Sequence, residues 1–202
     1  MLEACVLAIF KGMRQAVSKF SAVKLDIPDI KLISRDKAGD ERGWLDKIFS
    51  SEVLRTFGWS SDIKQINHTC TNNIGTIRGM HFQYPPKAEM KLLTCLQGEI
   101  FDVMVDLRPQ SEHYLKWISY KLSAKSGQSL LIPEGFAHGF QAMTDNVELL
   151  YLHSAEYDQQ KEGCVHPFDE RLAIRWPLPI SVISTKDLNC KKIDGDFLGV
   201  ML

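Results

Sequence analysis

Two histidines stand in short segments that could carry chemistry. His81 lies in Arg78-Gly79-Met80-His81-Phe82-Gln83, with five residues between it and Gly75. His138 closes Pro133-Glu134-Gly135-Phe136-Ala137-His138, with five residues between Gly127 and Pro133. Imidazole titrates near neutrality, so it serves as a proton-abstracting base, and it is also a common metal ligand. A divalent cation needs several converging nitrogen or oxygen ligands. A His-x-His pair would end at position 83, where this chain has Gln83, a poor ligand. His81, His138 and the downstream Glu89 therefore make a weak metal site, and proton chemistry ranks above it, with no metal expected. The plain competitor is a core histidine bonded to a backbone carbonyl.

Other side chains extend the set. Lys91 opens an apolar run, Tyr151 sits in Val147-Glu148-Leu149-Leu150-Tyr151-Leu152-His153, and Asp187 ends Ser184-Thr185-Lys186-Asp187. Taken singly these read as a solvated edge, a packed phenol and a turn or cap residue. Arg42 and Arg78 carry guanidinium forks that match phosphate oxygens. Gln65 and Asn67 are two apart on one strand and share a face, where they could bond a polar ligand or simply meet solvent. Asp102, Asp106 and Arg108 also alternate on one face and read as a structural salt-bridge cluster.

The elements that must position these residues are strands. Ile63–Thr71, Lys91–Leu96, Ile100–Leu107, Lys116–Leu122, Ser129–Ile132, Phe136–Met143 and Val147–Leu152 are short apolar segments bounded by Gly, Pro or Asp-Asn. Ser51–Phe57 reads as a helix with a serine N-cap and Glu52 in its first turn. Frequent turns without β-α alternation predict an all-β fold, an antiparallel sandwich or barrel with few short helices. Residues 1–20 differ: Leu2, Val6, Ile9, Phe10, Met13 and Val17 recur at helical spacing, predicting an N-terminal helical extension before one domain over 21–202.

The totals agree with an ordinary soluble protein. Hydrophobic residues make up 45% of 202, and 24 Lys+Arg stand against 25 Asp+Glu. That balance gives no case for nucleic acid or an anionic membrane surface, though a nucleotide-sized anion needs only a few local cations. The five cysteines are odd in number and widely spaced, which predicts reduced thiols in a cytoplasmic protein. The apolar stretch Cys5–Phe10 is too short to span a bilayer.

The two histidine segments together resemble the paired motifs of the cupin superfamily, which implies a jelly-roll barrel with a site in its mouth. A sharper resemblance covers about residues 23 to 189. Asp40-Glu41-Arg42-Gly43, Gln65-Ile66-Asn67, Arg78-Gly79-Met80-His81-Phe82-Gln83, Lys91-Leu92, Asp102 to Arg108, Gly135 to Phe140, Tyr151, Trp176-Pro177 and Ser184 to Asp187 occur in this order. Their order and spacing look like the dTDP-4-dehydrorhamnose 3,5-epimerase family. That resemblance implies cofactor-independent inversion of the two carbons flanking the C4 ketone of a nucleotide-linked 4-keto-6-deoxy sugar.

By resemblance, His81 is the base and Asp187 orients it. Lys91 lies near the developing enolate oxygen, and Tyr151 donates a proton from the opposite face. Arg42 and Arg78 are implied for the diphosphate, with Gln65, Asn67 and His138 bonding substrate and Tyr157 stacking on the base. A homodimer is implied as well. The chain departs from the family at the nucleotide end: Ala38 replaces a large aromatic, and Trp44-Leu45-Asp46-Lys47 stands where a thymine-accepting Glu is common. A CDP-sugar, or inversion at one carbon only, therefore stays open. So do two other classes, a metal-dependent cupin enzyme and a sugar-binding jelly roll without activity.

Overall fold

The computed structural model describes residues 19–202. The helix expected over residues 1–20 lies outside them, apart from Lys19 and Phe20, and Phe20 opens the first strand. Among the described residues the chain forms β1 (Phe20–Lys24), β2 (Lys31–Arg35), β3 (Ala38–Asp40), β4 (Gly43–Leu45), α1 (Ser51–Thr56), β5 (Gln65–Thr71), β6 (Ile77–Gln83) and β7 (Lys91–Gln97). Then come β8 (Glu99–Asp106), β9 (Trp117–Ser123), β10 (Gln128–Ile132), β11 (Phe136–Ala142), β12 (Val147–His153), β13 (Glu162–Cys164) and α2 (Thr185–Leu188). A six-stranded sheet in the order β1-β2-β10-β7-β12-β5 faces a five-stranded sheet in the order β13-β6-β11-β8-β9, and β3-β4 is a separate hairpin. Every strand pair is antiparallel. This is the all-β jelly-roll architecture expected.

Period-2 alternation explains which residues fill the space between the sheets. On β7, Leu93 and Cys95 join the interior cluster, while Leu92 points out to pack with Leu54 of α1 and Trp59. On β12, Val147 and Leu149 point in and Leu152 points out. On β8, Ile100 and Met104 point in, and Val103 and Val105 pack outward with Met80, Leu172 and Val200. Each such buried aliphatic side chain contributes roughly 1.5–3 kcal/mol through removal from water. The same parity sends Lys91, Asp102, His138 and Tyr151 into the interior, at the end the apolar plug leaves open.

Two expectations need correcting. The serine at the head of α1 is Ser50, and its side chain makes no capping bond, so the helix is held by burial of Leu54 rather than by its cap. The thiols are not all reduced: Cys164 and Cys190 form a disulfide across 26 residues, while Cys70 and Cys95 are free. Spacing could not reveal this pair, because it joins a strand edge to the segment after α2 only once the barrel has closed. No helix among the described residues is long and apolar enough to cross a membrane.

The disulfide closes a loop that the unfolded chain would otherwise leave free, an effect on the order of 2–4 kcal/mol. Reduction should therefore expose two further thiols in a denatured thiol titration. It should also lower the denaturant midpoint, with a larger m-value because the unfolded chain without the cross-link exposes more surface; an unaltered midpoint would show that the bond contributes nothing.

Candidate active site

A cavity of about 490 Å³ opens between the two sheets at the polar end of the barrel. The five-stranded sheet supplies Arg78, His81 and His138 to its lining, and the six-stranded sheet supplies Asn67, Lys91, Tyr151 and His153. Tyr157, Glu162, Lys186 and Asp187 complete the wall from the C-terminal third.

His81 and Asp187 meet here although 106 positions separate them, with Nε2 2.8 Å from a carboxylate oxygen. The second carboxylate oxygen of Asp187 accepts the Gly79 N–H at 3.2 Å, and the Asp187 N–H is capped by Ser184 Oγ at 3.0 Å. Burial raises the Asp187 carboxyl, but the bonds from His81, Gly79 and Ser184 more than offset that, so it lies below its usual value of 3.8. An ionised carboxylate only accepts, so His81 Nε2 carries the hydrogen and Nδ1 keeps a lone pair. The ring is one-third exposed while Asp187 is buried, which leaves the imidazole free to meet a substrate.

Tyr151 comes from the opposite sheet. Its ring lies edge-on to His138 and stacks on His153, with centroids 5.9 Å apart in both cases. Burial, and next the negative charge of Asp102, push its phenol far above the usual range, against a smaller opposing pull from Arg78. A phenol so placed stays protonated and keeps a hydrogen to donate. Lys91 Nζ sits 3.2 Å from Glu89 and 3.4 Å from the His81 carbonyl, so its ammonium lies between the two sheets.

Several expected residues are placed differently. His138 Nε2 lies 2.6 Å from Asp102, which is fully buried and pushed up by that burial despite the pairing. The expected cluster of Asp102 with Asp106 and Arg108 is thus wrong for Asp102. Arg108 bonds Asp106 and Asp29 beyond the cavity, and Asp102 was missed as a site residue. Alternation put the three on one face but could not say which neighbour His138 would choose. Arg42 sits in the turn of the β3-β4 hairpin, exposed, paired with Asp40, and outside the cavity lining. Asn67 lines the cavity and Gln65 does not. Tyr157 is exposed at the rim, its hydroxyl donating to Glu162 at 2.9 Å. Asp46 is paired with Arg35, at 2.9 and 3.2 Å.

Among the described residues, Arg78, Lys91 and Lys186 are the Lys and Arg side chains lining the cavity, and only Arg78 lacks a carboxylate partner. Its guanidinium bonds Thr71 Oγ1 at 3.0 Å and the Cys70 carbonyl at 3.3 Å, both neutral, so its charge remains available to an anion. Gln83 uses its amide on the Lys87 and Glu156 carbonyls and the Asp158 N–H, a loop staple rather than a ligand. Glu89 and His153, likewise unassigned from sequence, bond each other at 2.7 Å. Among the described residues no three His, Cys, Asp or Glu side chains are grouped to hold a metal ion.

A carboxylate-oriented imidazole on one wall, a neutral phenol on the facing wall and a cation between them define a jelly-roll isomerase that moves protons at carbon. The model of the dTDP-4-dehydrorhamnose 3,5-epimerase family matches residues 24–194, and the chain belongs to that family. It is 36% identical to the dTDP-4-dehydrorhamnose 3,5-epimerase of Shigella flexneri over 179 residues, 88% of this chain and 98% of that protein. The crystal structure of the Bacillus anthracis enzyme with TDP and pyrophosphate bound superposes with a TM-score of 0.83 at 35% identity, covering 87% of this chain and all of the other. The Legionella pneumophila enzyme in complex with dTDP-4-keto-L-rhamnose superposes with a TM-score of 0.84 at 30% identity, covering 91% and 100%.

If Tyr151 holds its proton as this environment requires, the ultraviolet difference titration between wild type and Tyr151→Phe should stay flat until alkaline unfolding. A step near the ordinary tyrosine value of about 10 would mean a solvent-like phenol.

Proposed function

We propose that this protein inverts C3 and C5 of dTDP-4-dehydro-6-deoxy-D-glucose, giving dTDP-4-dehydro-L-rhamnose without a cofactor. The observation that carries this is one cavity in which His81 and Tyr151 enter from facing sheets, so that base and acid reach opposite faces of a sugar ring. His81 Nδ1 takes the proton from the carbon next to the ketone, and the C–H electron pair moves into the C4 oxygen. Lys91 stabilises the enolate that forms, an interaction stronger in the transition state than with the neutral ketone. Collapse of the enolate draws the Tyr151 proton onto the other face, and solvent restores both groups. A second round at the other flanking carbon completes the change.

Arg78 is our candidate for the diphosphate, being the uncompensated cation of the cavity. Arg42 would reach a site only from a second copy of the chain. The β3-β4 hairpin stands outside both sheets with Trp44 and Leu45 largely exposed, which supports a homodimer built through it. A soluble sugar nucleotide as substrate suits a cytoplasmic enzyme.

Incubation in deuterated water with dTDP-, CDP- and GDP-4-keto-6-deoxy sugars, read by NMR, tests the assignment. Deuterium should enter at both C3 and C5 of the dTDP sugar; entry at one carbon only would make the protein a single-site epimerase. Asp187→Asn should lower kcat by about two to four orders of magnitude, because the ring loses its fixed tautomer. Tyr151→Phe should lose inversion by about 10²–10⁴-fold while wash-in of deuterium on the His81 side persists. Equal loss of both would remove Tyr151 from the donor role.

A further inference from the structure

Beside the proposed machinery lies a hydrogen-bond chain that touches no reacting atom. It starts at the backbone N–H of Tyr157, which donates to Gln65 Oε1 at 2.9 Å. The Gln65 amide N–H then donates to Asn67 Oδ1 at 3.0 Å, and Asn67 Nδ2 stands 3.3 Å from His153 Nε2. His153 Nδ1 is 2.7 Å from Glu89, and Glu89 is 3.2 Å from Lys91 Nζ. Strand register makes this possible, since His153 is the direct partner of Gln65 on one side and Lys91 on the other.

The two ends of the chain fix its proton positions independently. A backbone N–H can only donate, so the Gln65 atom facing Tyr157 is oxygen. Its amide nitrogen therefore faces Asn67, whose oxygen accepts and whose nitrogen is left to donate to His153 Nε2. From the other end, burial raises the Glu89 carboxyl, but the Lys91 charge and the His153 bond together hold it below its usual value. An ionised Glu89 can only accept, so His153 Nδ1 carries the hydrogen. Both directions give the same state, a neutral His153 protonated on Nδ1. Either other state sets two N–H groups facing each other, or leaves a carboxylate short of a donor.

We infer that Glu89 and His153 are positioning residues for Lys91, with Gln65 and Asn67 as the amides that set the tautomer of His153. The chain holds Glu89 where its carboxylate aims the Lys91 ammonium at the cavity. This rests on the reading of Lys91 as the cation for the enolate oxygen.

The test has two parts that fail separately. Nitrogen-15 correlation spectra of the substrate-free wild-type protein at neutral pH should show His153 protonated on Nδ1 with a bare Nε2. An Nε2–H or doubly protonated ring would overturn the inference, and this measurement needs no variant to fold. In turnover, Glu89→Gln should lower kcat about 10–100-fold with KM within about threefold, because only the transition-state contact of Lys91 is weakened. An unchanged kcat, or a loss confined to KM, would overturn it. If the wild type turns over none of the 4-keto sugar nucleotides, the proposed function fails instead, while the tautomer of His153 still reports on the chain.

Discussion

The contact on which the rest of the site depends is the carboxylate of Asp187 set against His81 and the Gly79 N–H. Asp187 is buried, so its charge is tolerable only while both oxygens find donors. Those donors lie on β6, whereas Asp187 arrives from a four-residue helix near the end of the chain. The chain laces that segment to the barrel at several points. Ile77 N–H donates to the Val182 carbonyl at 2.9 Å, Ser181 N–H to Gly75 at 3.2 Å, and the Gln141 amide spans Leu178 and Gly75. The Cys164–Cys190 bond closes the other side, since Cys164 is the strand partner of His81 and Cys190 lies three residues past Asp187. His81 and Asp187 are thus anchored through the same strand.

A barrel interior that is half apolar plug and half titratable groups poses a single electrostatic problem, which the chain solves by pairing. Asp187 is given to His81, Asp102 to His138, and Glu89 to Lys91 and His153. Each carboxylate thereby orients a ring or an ammonium. Of these carboxylates' oxygens only Asp102 Oδ2 is buried with no hydrogen-bond partner among the described residues. That deficit explains why burial dominates at Asp102 but not at Asp187, where the backbone supplies a second donor. With the lysines of the cavity compensated, the charge left for an incoming anion is concentrated on Arg78.

How much of this could be read in the sequence follows from which contacts are local in register. The strands β5 and β7 to β12 were legible because each is a short apolar segment bounded by turn residues, but which of their polar side chains turn inward was not: Lys91 reads from sequence as a solvated edge and is buried. Side-chain contacts between neighbouring strands were not legible. The partners Asp102–His138 and Glu89–His153 are separated by 36 and 64 positions, and alternation assigns a face but not a neighbour. The disulfide failed for the same reason. Gln65 and Asn67 were correctly placed on one face, yet their amides bond each other and His153, which no spacing argument ranks above a ligand.

The strand carrying the motif was itself the hardest to see, and the cause lies in its geometry. Arg78 and His81 are three apart, so in a regular strand they would point to opposite faces. Both line the cavity, because the register against β11 shifts: His81 faces His138 while Arg78 faces Phe140, three steps on β6 against two on β11. The extra residue re-phases the strand, as a bulge does. It is accommodated by Gly79 and Gly139, whose backbones approach so closely that a Cβ on Gly79 would fall 2.5 Å from the Gly139 Cα. Gly79 also sits at φ +123°, a conformation side chains rarely adopt. The irregularity that hides β6 from a period-2 reading is therefore what brings the Arg78 guanidinium and the His81 imidazole into one cavity.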